Sequence, residues 1–407
     1  MKKQLLFNIF TITLNIFLAS CSYSLVKPQD IKNQRKITSL NQEDKNNFKT
    51  LSNNFNEEAY KLAYPDVALA IKQGTLRTAS DHYYCCGYRI DSLQYIQAKK
   101  DVEEGYNEEK YLNSFTDVKK AVESGVLPNG YTHFINSGRN EGRLQDMIDG
   151  YDENTYLLAF PNVRDAISKG IVSSGYWHYN PFGKNSNYLK RNEYLQAINK
   201  IKLNKGKIIK KVMVLGNSLT LHGPYEPIGW FLFAGMAASS AEKDYAHVLT
   251  SYISQYQGNT NPELLVDNIS DFERDFYYSS LDRYKTHIDF NADIIVIQLG
   301  NNTNETITIQ QDFTRHYEKL ISAFQNNNPS IFCLGSWYPK PIVDNMMKEA
   351  CENKGGTYIS LNEIYSDNSN FAFSERNFIY QGVATHPGDK GMKEIASLIF
   401  NIINLIY

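Results

Sequence analysis

The stretch "KVMVLGNSLTLHGP", Lys211 to Pro224, decides how the C-terminal half of this chain is read. Val212 to Leu215 are all apolar and run straight into Gly216, Asn217 and Ser218. An uninterrupted apolar run of this kind predicts a strand covered on both faces, with the glycine and the polar pair marking its end. Similar runs recur downstream: "LLVDNIS" from Leu264, "DIIVIQLG" from Asp293, "IFCLGSWY" from Ile331 and "TYISL" from Thr357. Helical stretches separate them, among them "QQDFTRHYEKLISAFQ" and "VDNMMKEACENK", and a helix is expected directly after Ser218. Five apolar runs alternating with helices predict a parallel sheet with helices on both faces. Ligands of such sheets bind beyond the carboxyl ends of the strands, and Ser218 and Asn302 both fall at such ends.

The chain has 407 residues, enough for two domains, and its net charge of −2 gives no electrostatic footprint for nucleic acid. The first residues stand apart. Lys2 and Lys3 precede an apolar run from Leu5 to Leu18 that is too short to span a bilayer, so residues 1–20 read as a secretion signal. Its end, Leu18-Ala19-Ser20-Cys21, resembles the lipobox of bacterial lipoproteins, which implies cleavage before Cys21 and lipidation there. Ser22 after the cysteine, in place of Asp, favours outer-membrane sorting in a Gram-negative cell. Residues 21–54, rich in Asn, Gln, Lys and Ser and without apolar periodicity, read as a flexible tether. Export permits disulfides, and Cys85, Cys86, Cys333 and Cys351 remain, at a spacing that matches no zinc site. Cys333 in a predicted strand and Cys351 in the following helix are free to pair without being required to.

Residues 55–184 are self-similar. Units begin at Phe55, Tyr106 and Tyr151; Val67, Val118 and Val163 lie 51 and then 45 residues apart, and His82, His133 and His178 keep the same intervals. Each unit predicts a short helix, a second helix ending at a glycine, and a His-aromatic helix, and small units of this type bury their apolar faces on one another. The units resemble the Asn-Pro-Asp-Val-Ala repeats of bacterial exported and surface-associated proteins. Each histidine occurs once per unit beside an aromatic, which favours packing or capping over metal ligation. Residues 185–206 read as a linker or connecting helix ahead of the second domain, 207–407.

Three short motifs in that second domain resemble the SGNH/GDSL hydrolase family, over about 200 residues: Gly216-Asn217-Ser218-Leu219, Gly300-Asn301-Asn302, and His386-Pro387 in "GVATHPGDKGM". The resemblance implies a flavodoxin-like, three-layer α/β/α fold with a five-stranded parallel sheet. It also implies acyl transfer without metal or cofactor: Ser218 as nucleophile, His386 as its base, and the Ser218 N–H with the Asn302 side-chain amide as oxyanion donors. Taken singly, Ser218 also reads as a helix N-cap and Asn302 as a turn residue. The segment Leu221–Leu249, with Trp230 followed by Gly235-Met236-Ala237-Ala238-Ser239, resembles a subgroup of the same family; Trp230 and Tyr225 read as sheet packing or as a sugar-binding face.

Two positions depart from the family pattern. The acid expected three residues before His386 is Val383, so a Ser218–His386 dyad is expected, its ring oriented by a backbone carbonyl or by Gln381. Asp389 reads as a helix cap rather than as the missing acid. The second block, "DNISDFERD" from Asp267, opens acceptably with Asn268 but has Glu273 where an oxyanion glycine is expected. Glu273 and Arg274 read as a solvated charged turn or as contacts to a polar substrate, and Asn217 replaces the family's Asp. The expected function is an exported esterase removing O-acyl, above all acetyl, groups from carbohydrate or envelope polysaccharide, with acylated small molecules open as substrates and the partner of the repeats unknown. The rival expectation is a surface binding or adhesion lipoprotein in which the same fold is catalytically silent.

Overall fold

The computed structural model describes residues 55–86, 92–278 and 280–407, so the signal segment, Cys21 and the tether lie outside the described residues. The chain divides into two compact units, Met1–Glu109 with Val122–Leu144, and Lys110–Ala121 with Gln145–Tyr407. The expected break across 185–206 is not where the units part. Helices Glu153–Ala159 and Asn192–Asn204, the latter in the connecting region, belong to the larger unit. Leu158 and Ala197 lie in one buried apolar cluster with Ile395, Ile399 and Ile403 of the C-terminal helix Asp389–Ile406, which is why no boundary falls there.

The larger unit is built on five strands: β1 Lys211–Gly216, β2 Glu263–Asn268, β3 Ile294–Gln298, β4 Ser330–Leu334 and β5 Thr357–Ile359. All pairings are parallel and the order is β2-β1-β3-β4-β5, a doubly wound α/β/α sheet of flavodoxin-like topology. Side chains alternate between two cores, as the two-residue period of a strand requires. Val212, Val214, Ile294, Val296, Phe332 and Leu334 pack with helix Tyr245–Tyr256 and the C-terminal helix. Met213, Leu215, Ile295, Ile297, Ile331 and Cys333 pack with Phe272, Phe313, Tyr317, Val343 and Met347 on the other face. On that second face Cys333 and Cys351 are joined by a disulfide between β4 and helix Pro341–Asn353. The order reverses between β1 and β3, so the loops after Gly216 and Gln298 flank the switch point where a crevice opens.

The helical segments use one local device three times. A glutamate early in the first helix accepts from backbone N–H groups opening the His-aromatic helix 22 residues later: Glu57 from Ala79, Glu108 from Gly130, Glu153 from Gly175. A negative charge placed there satisfies donors that have no intrahelical partner. Tyr60 and Tyr156 hydroxyls meet His82 Nδ1 and His178 Nδ1 at 3.2 and 2.9 Å, so both rings are engaged with tyrosines, and burial lowers the pKa of both. The His178 helix then widens into a π turn, Tyr179–Gly183, where a side chain on Gly183 would collide with the Tyr156 hydroxyl.

Candidate active site

At the end of β1 the chain does not enter the expected helix. Residues 218–220 form a turn, closed by Thr220 N and Leu221 N donating to Asn217 O at 2.9 and 3.0 Å, and the next α-helix begins only at Tyr245. Pro224, Pro227, Gly223 and Gly229 explain the difference, since they break helices; the segment instead folds back through bridges His222↔Ala234 and Tyr225↔Trp230. Ser218 therefore caps no helix. Gly216 is required where it stands: a Cβ would collide with Thr220 Oγ1 and lie 2.6 Å from Gln298 O.

Ser218 Oγ lies 3.0 Å from His386 Nε2 across 168 residues of sequence. On the other side of the ring, Nδ1 lies 2.7 Å from Gly382 O. A carbonyl only accepts, so it holds the proton on Nδ1 and leaves the Nε2 lone pair facing the hydroxyl. The short helix Gln381–Ala384 turns that carbonyl back toward the imidazole, with His386 N donating to Val383 O at 3.0 Å. The Gln381 side chain is exposed, and of the two orienting groups expected, the backbone carbonyl is the one at hydrogen-bond distance from Nδ1 among the described residues. Val383 is buried with Trp230 and Ala234, and Tyr338 reaches Nδ1 only at the limit, 3.5 Å. His386 is 9% exposed, and burial, reinforced by nearby His222 against the Gly382 carbonyl, pulls its pKa down to about 4.

Asp389 takes neither role assigned to it. It accepts from Ser239 N, Ser239 Oγ and Lys243 Nζ at 2.8, 2.6 and 2.9 Å, pinning the loop 239–243. The helix it opens is capped instead by Glu375, which accepts from Asp389 N and Lys390 N at 2.8 and 2.7 Å. Asn268 is likewise structural: its amide donates to Leu221 O at 2.7 Å and its oxygen accepts from Ser270 N at 3.0 Å, tying the end of β2 to the loop beyond Ser218.

Glu273 is the largest departure from expectation. It lies on helix Ser270–Asp275 and is 1% exposed, not a solvated turn residue; its neighbour Arg274 is the one that faces solvent. Its carboxylate accepts from Asn217 Nδ2 and Asn302 N, both at 3.2 Å, from Asn302 Nδ2 at 2.6 Å, and from the Gly300 N–H. Burial raises its pKa, and these four donors oppose the rise by favouring the charged form. Asn217 completes the set, with its Oδ1 accepting from Leu219 N at 3.2 Å. Asn302 follows Gly300, whose φ of 107° is a conformation that favours glycine, and its side chain reaches solvent. Asn301 donates to Tyr338 O and accepts from Trp337 N, joining the ends of β3 and β4.

Trp230 is 4% exposed and donates to His222 O at 3.0 Å, so it packs rather than lines a surface. Tyr225 is 53% exposed, as are Phe231, Phe233, Ile379 and Tyr380 to similar or greater degree, on the two segments that follow Ser218 and precede His386. Among the described residues no group of three His, Cys, Asp or Glu side chains is arranged to hold a metal.

No protein-family model matches the chain, and no curated protein matches it in sequence. Solved structures similar to it include a two-domain esterase (CEX) active on acetylated mannans, at 16% identity over 48% of this chain and 49% of that one, with a TM-score of 0.38. TesA is similar at 13% identity over 49% of this chain and all of its own, with a TM-score of 0.34. The psychrotrophic esterase EstA from Pseudoalteromonas sp. is similar at 12% identity over 48% of this chain and 97% of that one, with a TM-score of 0.30. The chain thus spans about half the length of the two-domain esterase. These likenesses assign neither activity nor substrate here.

Proposed function

We propose that the chain is an SGNH-type serine esterase that hydrolyses O-acyl groups, above all acetyl groups, on carbohydrate. The observation that carries the reading is the hydroxyl-to-imidazole contact of 3.0 Å between Ser218 and His386, with the far ring nitrogen held at 2.7 Å by the Gly382 carbonyl. A serine hydroxyl needs a base as it attacks, and this tautomer presents one. The Oγ–H proton passes to Nε2 as Oγ bonds to the ester carbon. Negative charge builds on the carbonyl oxygen, where the Ser218 N–H and the Asn302 amide serve as donors. The C–O bond to the alcohol breaks, the alcohol leaves with the proton from Nε2, and an acyl-serine remains. Water then attacks the acyl carbon, gives its proton to His386, and the acid departs as the proton returns to Ser218 Oγ. The exposed aromatics Tyr225, Phe231, Phe233 and Tyr380 offer flat faces on which a sugar ring stacks.

The same proposal includes the cell address: removal of residues 1–20, lipidation of Cys21, and a tether to residue 54 that holds the protein in the cell envelope, at the outer membrane or cell surface.

The test is hydrolysis of p-nitrophenyl acetate by the purified protein beside Ser218→Ala and His386→Ala. Each variant is expected to lose about 10³-fold or more in kcat with its melting temperature retained. Wild type indistinguishable from both variants, and unlabelled by a serine-reactive fluorophosphonate, would leave the fold as a binding module.

A further inference from the structure

Resting on the esterase reading, we infer that Glu273 is a positioning residue that locks the Asn302 amide with its nitrogen toward the reacting carbonyl, and that Asn217 is the partner it requires. An asparagine amide is ambivalent, since a half-turn about its last bond exchanges donor and acceptor. With the nitrogen facing the developing oxyanion Asn302 stabilises it; with the oxygen there it repels it. A carboxylate removes the ambiguity because it only accepts. Glu273 Oε2 takes one Asn302 Nδ2–H at 2.6 Å and Oε1 takes the Asn302 backbone N–H at 3.2 Å, so side chain and main chain are held together. The second N–H on Nδ2 has no protein acceptor among the described contacts and belongs to the solvent-facing side of Asn302.

The departure at Asn217 follows from the same contact. Its Nδ2 is 3.2 Å from Glu273 Oε1, a separation at which a second buried carboxylate would repel the first. An amide in place of Asp turns that repulsion into a donor. The acid that the family pattern has at 217 and the small residue it has at 273 are thus exchanged as a pair, an amide at one position answering an acid at the other.

The experiment measures kcat and KM for p-nitrophenyl acetate in wild type, Glu273→Gln, Asn302→Ala, the double variant of these two, Asn217→Asp, and Asn217→Asp with Glu273→Gln. Glutamine keeps the shape of the side chain and presents a donor to donors, so the Asn302 amide is free to flip. Glu273→Gln is expected to lose about 10²-fold in kcat, the scale of one oxyanion donor, with KM within about threefold. In the Asn302→Ala background the same substitution is expected to cost nothing further, because its path runs through Asn302. Asn217→Asp alone is expected to be impaired. Joined to Glu273→Gln it is expected to recover roughly tenfold over the worse single variant. The introduced carboxylate would accept from the introduced glutamine amide and so turn the glutamine oxygen back toward Asn302. Wild-type or increased kcat in Glu273→Gln, or losses that add in full with Asn302→Ala, would overturn the inference while leaving the esterase intact. An inactive wild type would overturn both, and the fluorophosphonate label tells the cases apart.

Discussion

Two buried glutamates in the larger unit solve the same electrostatic problem to different ends. Glu153 and Glu273 are each essentially inaccessible, each accepts four hydrogen bonds, and burial raises the pKa of each. The donors differ. Those of Glu153 are Gly175 N and Tyr176 N at 2.7 and 3.0 Å, Thr116 Oγ1 at 3.0 Å and the hydroxyl of Tyr151, the first three in helices and the last just ahead of the helix that carries Glu153. Those of Glu273 include two side-chain amides, the buried Asn217 at the end of β1 next to Ser218 and the solvent-reaching Asn302 beyond the end of β3. A buried carboxylate becomes structural or functional according to what its donors do next. Groups inside a helix stop there, whereas an amide at a strand end carries its orientation into the crevice.

The largest effect expected from this contrast is on Glu153. Replacing it with Ala strips four donors of their acceptor inside the protein, at a cost of about 3 kcal/mol or more. A fall in melting temperature of about 6 °C or more is the readout, with kcat per folded molecule unchanged. Glu273→Gln keeps one accepting oxygen and its partner Asn302 reaches solvent, so it is expected to lose kcat with a smaller fall in melting temperature than Glu153→Ala. Calorimetry and esterase assays on both variants would break the comparison if either glutamate behaved like the other.

Acid pH sharpens it. His386 must be neutral to take the serine proton, and its pKa of about 4, against an ordinary 6.5, keeps it neutral until pH falls through about 4. Glu273 must be ionised to hold Asn302, and its pKa lies above the usual carboxylate value of 4.5, so it protonates first as pH falls. The acid limb of kcat/KM in wild type is expected to be steeper than one proton and to begin on the Glu273 side. In Glu273→Gln it is expected to become a single-proton limb near pH 4. A profile from pH 3.5 to 8 with one unchanged limb near 6.5 in both proteins would remove both assignments at once.

How much of this was readable beforehand depends on where each group's partners come from. The strands were legible because Val212–Leu215, Ile294–Ile297 and Ile331–Leu334 are buried on both faces, and continuous burial needs continuous apolar sequence. Ser218, Asn302 and His386 were legible as motif residues at strand ends and near the C-terminal helix. The turn after Ser218 was not, because the alternation of strand and helix elsewhere outweighed the Pro and Gly residues that break it. Gly382 leaves no trace, since its contribution is a carbonyl that every residue carries. Glu273 misleads because an acidic-basic pair reads as solvated, and its partners at positions 217 and 302 lie far away in sequence. The clue was the conjunction: an amide where an acid is expected and an acid where a glycine is expected.

The smallest effect is expected in the first helical segment, where the glutamate device is weakest. Glu57 is exposed and, among the described residues, accepts from Ala79 N at 3.4 Å. Glu108 is half-buried and accepts from Gly130 N, Tyr131 N and the Tyr106 hydroxyl at 2.6, 3.0 and 2.7 Å. Glu153 completes the series as the fully buried member. A charge in water interacts with a helix N-terminus through a high dielectric, so the same contact weakens as exposure grows. Glu57→Ala is therefore expected to shift the melting temperature by no more than about 1 °C, with Glu108→Ala between it and Glu153→Ala. Hydrogen exchange at the Ala79, Gly130 and Gly175 amides reads each contact directly. Protection should fall least at Ala79 and most at Gly175 when the paired glutamate is replaced. Equal losses at all three would mean that the helix termini, rather than the burial of the carboxylate, set the strength of the device.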